Sequence, residues 1–225
     1  MIKAVVFDLD DTLYPEHAYV DSGFKAVDQY LAQYCNIERF YPVATKLFAE
    51  GHRGAIFNEA LTQLNFDWQD DFIKELVDVY RSHKPVIQLD PATIDVLEYC
   101  SINYKTGLIT DGYQVAQRNK IEALGITEFF NCICVTDELG REYWKPHEKP
   151  YVATENALNV KPSECVYIAD NPVKDFITPN HRGWKTIQLL SDIGEYRYIA
   201  ASKSEYQAQF QVSILSEVLS LLATP

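Results

Sequence analysis

The feature that most constrains this chain is a set of short apolar runs, each ending abruptly in polar or charged residues. Ile2 to Phe7 runs into Asp8-Leu9-Asp10, with Thr12 just beyond, and Tyr104 to Ile109 closes on Thr110-Asp111-Gly112. Cys132 to Val135 leads through a polar loop to Lys145-Pro146, and Val166 to Ala169 ends in Asp170, with Asp175 following. Short apolar runs bounded by turn residues read as buried strands. Helical patterns alternate with them near Tyr113 to Leu124, Lys149 to Leu158 and Pro172 to Asn180, before another strand at Trp184 to Leu190. This alternation predicts an α/β fold with a doubly wound parallel sheet, and such sheets bind ligands at their carboxyl edge.

Alternate residues of an extended strand point the same way, so Asp8 and Asp10 would share a face if the strand continues through them. Without a cation they would repel, and one would take up a proton. A hard cation accepts carboxylate oxygens and removes that difficulty, so the pair reads as a metal-assisted catalytic centre. The alternative is an ordinary strand exit, in which Asp and Thr bond to turn amides.

All four motifs, in this order, resemble those of the haloacid dehalogenase-like superfamily, over Ile2 to about Leu190. Two departures are Ala169, where that family often has Gly, and Glu148, where a second Pro is common after Lys-Pro. The presence of Asp10 points to the phosphatase branch, because the dehalogenating branch lacks it. The resemblance implies a Rossmann-like core with Asp8 as nucleophile, forming an aspartyl-phosphate, and Asp10 as the acid and base of the two half-reactions. It implies magnesium (Mg2+) held by Asp8, the main-chain carbonyl of Asp10, and Asp170, with Asp175 orienting the shell or binding through water. It further implies that Thr110 and the amides of Asp111 and Gly112 hold the substrate phosphate, beside the fixed charge of Lys145.

Between Tyr14 and Leu89 the period changes. Val20, Phe24, Val27, Leu31 and Tyr34 mark one helical face, as do Ile56, Ala60 and Leu64, then Ile73, Leu76, Val77 and Tyr80 after a cap at Asp67. Residues 15–89 therefore form a helical insertion, with the α/β core in 1–14 and 90–225. The insertion either shields the sheet or, as the resemblance implies, is a cap domain that closes over the active site, hinged near Tyr14 to Glu16 and His83 to Asp90. Arg53, in the turn Gly51-His52-Arg53-Gly54, is the candidate for gripping a substrate carboxylate or distal phosphate, and is otherwise a loop tip. Asp90-Pro91 reads as a helix N-cap followed by proline at the first position. In the tail, Ala208, Phe210 and Val212 alternate like a strand, and Ser216 to Leu222 reads as a short helix.

With 225 residues, 47% of them apolar, the chain can bury a sizeable core. No apolar run approaches the ~20 residues of a membrane span, and acidic residues interrupt the first run where a secretory leader would continue. The five cysteines include no Cys-x-x-Cys and read as buried reduced thiols, which points to a cytoplasmic protein. A net charge of −12 argues against broad nucleic-acid binding but not against a small phosphorylated metabolite, such as a sugar phosphate or nucleoside monophosphate. Alternatives are a phosphosugar mutase, a catalytically silent metal-binding protein of the same fold, and a dehalogenase. The sequence sets no oligomeric state.

Overall fold

The computed structural model describes residues 1–223. Among them the chain divides into two compact units, Met1–Glu16 with the chain from Gln88 onward, and His17–Ile87. The second is two residues narrower at each end than 15–89.

The α/β unit is built on β1 (Ala4–Phe7), β2 (Lys105–Thr110), β3 (Cys132–Val135), β4 (Cys165–Ala169), β5 (Lys185–Leu189) and β6 (Phe210–Val212). All are parallel, in the order β3-β2-β1-β4-β5-β6. The chain winds from β1 to β2 and β3 on one side, then crosses back to β4, β5 and β6 on the other. The winding thus reverses between β1 and β4, the place where open sheets bind ligands. Phe7 lies beside Leu108 and Ile168, so Asp8 and Asp170 flank that crevice from adjacent strand ends. β1 and β4 are buried throughout, which is why they read as continuous apolar runs rather than alternating ones.

In the helical unit α1 (Glu16–Cys35, whose first residue belongs to the α/β unit), α2 (Phe40–Ala49), α3 (Ile56–Gln63) and α4 (Asp70–Ser82) share a core that includes Phe24, Val27, Leu31, Phe40, Leu61 and Leu76. A Cβ at Gly23 would lie 2.2 Å from the Tyr80 ring, so that glycine permits the close approach of α1 and α4. Two expectations need correction here. The buried stripe of α1 ends at Leu31, because its last turn runs past the cluster and leaves Tyr34 66% exposed. The N-cap of α4 is Gln69 rather than Asp67; the first turn carries Asp70 and Asp71, which favour the positive end of the helix dipole.

The remaining helices belong to the α/β unit: α5 (Pro91–Asn103), α6 (Gln114–Leu124), α7 (Lys149–Leu158), α8 (Ile177–Arg182) and α9 (Val218–Leu222). Asp90 caps α5 as expected, accepting from the Thr93 amide at 2.7 Å. The helix expected over Pro172 to Asn180 forms only from Ile177. Its first half is a turn, in which Asn171 Oδ1 accepts from the Val173 amide at 2.9 Å and Asp175 Oδ2 from the Asn171 amide at 3.1 Å. Such side-chain bonds compete with helical ones. No described helix is long and apolar enough to cross a membrane, and all five cysteines are free.

The core of the α/β unit centres on three buried aromatic rings in edge-to-face contact: Tyr151 lies 5.6 Å from both Tyr167 and Trp184, and Tyr167 and Trp184 are 6.4 Å apart. Trp184 Nε1 donates to Glu155 Oε1 at 2.7 Å, and Arg182 clamps the same carboxylate with bonds of 2.8 and 2.6 Å. Trp184→Ala would empty a fully buried ring site and remove one donor from the buried Glu155. It should cost about 3–5 kcal/mol in urea unfolding, and a loss below about 1 kcal/mol would contradict this account of the core.

Candidate active site

Asp8 emerges from β1 with its amide bonded to Ile168 O at 2.9 Å, which fixes its backbone against β4. Lys145 Nζ, on a side chain with no exposed surface, reaches Asp8 Oδ1 at 2.8 Å, Asp175 Oδ1 at 2.7 Å and the Tyr167 hydroxyl at 3.0 Å. Burial works against the charge on Lys145, but Asp175 and Asp8 outweigh it and hold the lysine well above its ordinary range. The aromatic core supports this arrangement directly, since Tyr167 Oη donates to Ile109 O at 3.4 Å and Tyr151 Oη to Asp175 O at 3.3 Å.

Asp8, Asp170 and Asp175 offer carboxylate oxygens within 4.8 Å of one another. Burial pushes Asp8 up to about 6 despite Lys145. Asp170 rises to about 9, through burial and then the charges of Asp175 and Asp8. Of these three buried carboxylates only Asp8 and Asp175 bond to Lys145, and all the donors are hard oxygens. This set fits a hard divalent cation, whose charge would relieve the repulsion concentrated on Asp170.

Asp10 is held quite separately. Its Oδ1 accepts from Tyr14 Oη at 2.6 Å and Lys120 Nζ at 2.7 Å, and its Oδ2 from Gln117 Nε2 at 2.9 Å. Burial favours the neutral form of Asp10, but these three donors outweigh it, Lys120 most of all, and hold its pKa below the usual carboxylate value. Asp8 and Asp10 are thus each matched with a different buried lysine.

Thr110, fully buried at the end of β2, accepts from Gln117 Nε2 at 2.5 Å. Gly112, at φ +135, leaves room for this: a Cβ there would lie 2.8 Å from Gln117 Oε1. Asp111 accepts from Thr136 Oγ1 at 2.8 Å, the Lys145 amide at 3.0 Å and Lys174 Nζ at 3.0 Å. Asp8, Asp10, Asp111, Asp170, Lys174 and Tyr196 line a cavity of about 190 Å³. Arg53 belongs to the helical unit, where its Nη1 donates to Phe48 O at 3.0 Å and His52 O at 2.8 Å.

Gln117, Lys120, Lys174 and Tyr196 were not anticipated. For the first two a signal existed, because they occupy the face of α6 shared with Ala116 and Ile121, where apolar periodicity expects core residues. Lys174 and Tyr196 sit in turn and loop segments, and no pattern marks them.

A model of the haloacid dehalogenase-like hydrolases matches residues 2–178. The chain belongs to that family. A glyceraldehyde 3-phosphate phosphatase of Methanopyrus kandleri is 26% identical over 234 residues, covering 99% of this chain and 97% of that one. Pyrophosphatase PpaX of Halalkalibacterium halodurans is 25% identical over 225 residues, covering 96% and 97%. The magnesium-bound HAD-hydrolase YfnB of Bacillus subtilis superposes with a TM-score of 0.70 over 99% of each chain at 15% identity, a likeness of fold.

The carboxylate cluster makes stability depend on pH. Asp170, raised from 3.8 to about 9, binds a proton more tightly folded than unfolded. Its contribution is therefore fully present below pH 3.8 and is lost as pH rises toward 9. In chelator, the thermal midpoint of the wild type should fall more steeply between these limits than that of Asp170→Asn, and a divalent cation should flatten the difference. Parallel profiles would rule out the repulsion described here.

Proposed function

We propose that this chain is a magnesium-dependent phosphomonoester hydrolase acting on a small phosphorylated metabolite through an aspartyl-phosphate. The observation that carries the reading is the pairing of Asp8 with Lys145 at the point where the sheet reverses, with Asp10 held independently beside it. Family membership supports the reaction type. Relatives named as phosphatases of glyceraldehyde 3-phosphate favour a sugar phosphate over a nucleotide.

In this reading the free oxygen of Asp8 attacks phosphorus and the ester bond to the leaving oxygen breaks. Lys145, on the other oxygen, keeps the nucleophile oriented and offsets charge on the transferring group. Thr110 and the amides of Asp111 and Gly112 cradle the phosphoryl oxygens. A phosphate dianion beside Asp10 favours the protonated carboxyl that the leaving oxygen requires. Asp10 then takes a proton from the water that hydrolyses the acyl-phosphate, releasing inorganic phosphate and restoring Asp8. Magnesium would supply further positive charge for the phosphoryl oxygens; Asp8, Asp170 and the main-chain carbonyl of Asp10 would hold it, and Asp175, paired to Lys145, would orient the set. The helical unit is the proposed selector of the leaving group, and the cytoplasm the proposed compartment.

A panel of phosphorylated metabolites assayed for phosphate release tests the reading, since a mutase would return isomerised ester instead. Asp8→Asn should fold normally and release phosphate no faster than buffer, because an amide oxygen does not attack phosphorus. Substantial turnover by that variant would sink the assignment. Chelation should stop hydrolysis of the best substrate; magnesium should restore it, and calcium, with its looser and higher coordination, should restore little. Equal rates with and without metal would exclude the metal-assisted mechanism.

A further inference from the structure

Gln117 and Lys120 are buried polar residues on one face of α6, and both bond to the carboxylate of Asp10. We propose that they are positioning residues for proton transfer, aiming Asp10 at the leaving oxygen and registering it against the phosphate cradle. The inference rests on the reading of Asp10 as acid and base given above.

Asp10 Oδ1 accepts from both Tyr14 and Lys120, which fills the in-plane lone pairs of that oxygen and leaves the transfer to Oδ2. Oδ2 receives one hydrogen of the Gln117 amide, and the other goes to Thr110 Oγ1. A single rigid amide therefore spans the proton-carrying oxygen and the hydroxyl proposed to hold the phosphate. Gly112 permits this, since a side chain there would displace Gln117. A carboxylate free to rotate would present its proton in the right direction only part of the time, whereas one held at both oxygens offers it with the orientation already set. Lys120 sits in the middle of α6, with only 4% of its side chain exposed, and Glu16 Oε1 lies 3.9 Å from its Nζ. Glu16 is thus a second carboxylate within ion-pair reach of the lysine.

A salt bridge with a purely structural role would, when lost, lower activity on every ester alike. A positioning role should show in the leaving group. p-Nitrophenol departs with little help from an acid, whereas an alkoxide needs a proton as the ester bond breaks. With magnesium present, Lys120→Met and Gln117→Leu should lower the single-turnover rate of leaving-group release, which precedes the hydrolysis step both esters share, by about 10²-fold or more for glycerol phosphate and by less than about tenfold for p-nitrophenyl phosphate. KM should change little for either ester, and Lys120→Arg should recover part of the loss on glycerol phosphate. Should Lys120→Met fail to fold, Gln117→Leu carries the same comparison. Asp10→Asn separates the two levels of the argument. If it discriminates between the esters while folded Lys120→Met and Gln117→Leu lower both equally, or neither, the positioning role is wrong and the reading of Asp10 stands. If Asp10→Asn itself shows no discrimination, that reading falls and the positioning role falls with it.

Discussion

Lys145 Nζ, between Asp8 and Asp175, is the contact on which the rest of the candidate site depends. Bringing any one of these charges out of water alone would cost several kcal/mol, and each carboxylate is tolerable only because Lys145 Nζ lies within 3 Å of it. The lysine arrives from the loop after β3, Asp8 from β1 and Asp175 from the turn after β4, so one ammonium group ties three separate segments together. Tyr167 and Tyr151 extend the tie into the core, presenting rings to Trp184 and hydroxyls to Lys145 and to the Asp175 backbone. Packing beneath the sheet and placement of charge above it are thus one construction.

A second network does for Asp10 what Lys145 does for Asp8. The two carboxylates are separated by one residue in sequence, yet they take different lysines from different elements, Asp10 drawing on α6 through Lys120 and Gln117. This division lets them differ in character. Asp8 is raised to about 6 by burial, whereas Asp10 is driven below its usual value by Lys120. Asp170 has no comparable match and carries the residual repulsion, which is the physical case for a cation at this edge. A net charge of −12 does not oppose an anionic substrate when the local field is set by buried lysines.

The strand ends carrying Asp8, Thr110 and Asp170 were legible in the sequence because a strand buried on both faces must be continuously apolar, so its termination in a polar residue stands out. The α/β alternation was legible for the same reason, and so was the Asp90 cap, whose signature is local. Chemical necessity also marked Asp8 and Asp10 before any contact was known, since adjacent carboxylates at a strand end require compensation.

Tertiary structure alone decided what supplies that compensation. Lys120 lies 110 positions from Asp10 along the chain, and Lys145 137 from Asp8, so nothing in local spacing connects either pair. The helix expected at Pro172 became a turn because Asn171 and Asp175 bond to each other's segment, a competition that propensity does not weigh. The guanidinium of Arg53 is bonded to the backbone of its own turn, a use that charge and loop position do not indicate. The sequence by itself determined where charge must appear along the sheet edge, because burial of the strands is a property of the residues themselves. Only the fold determined which partner answers each charge, because that depends on distances between segments far apart in the chain.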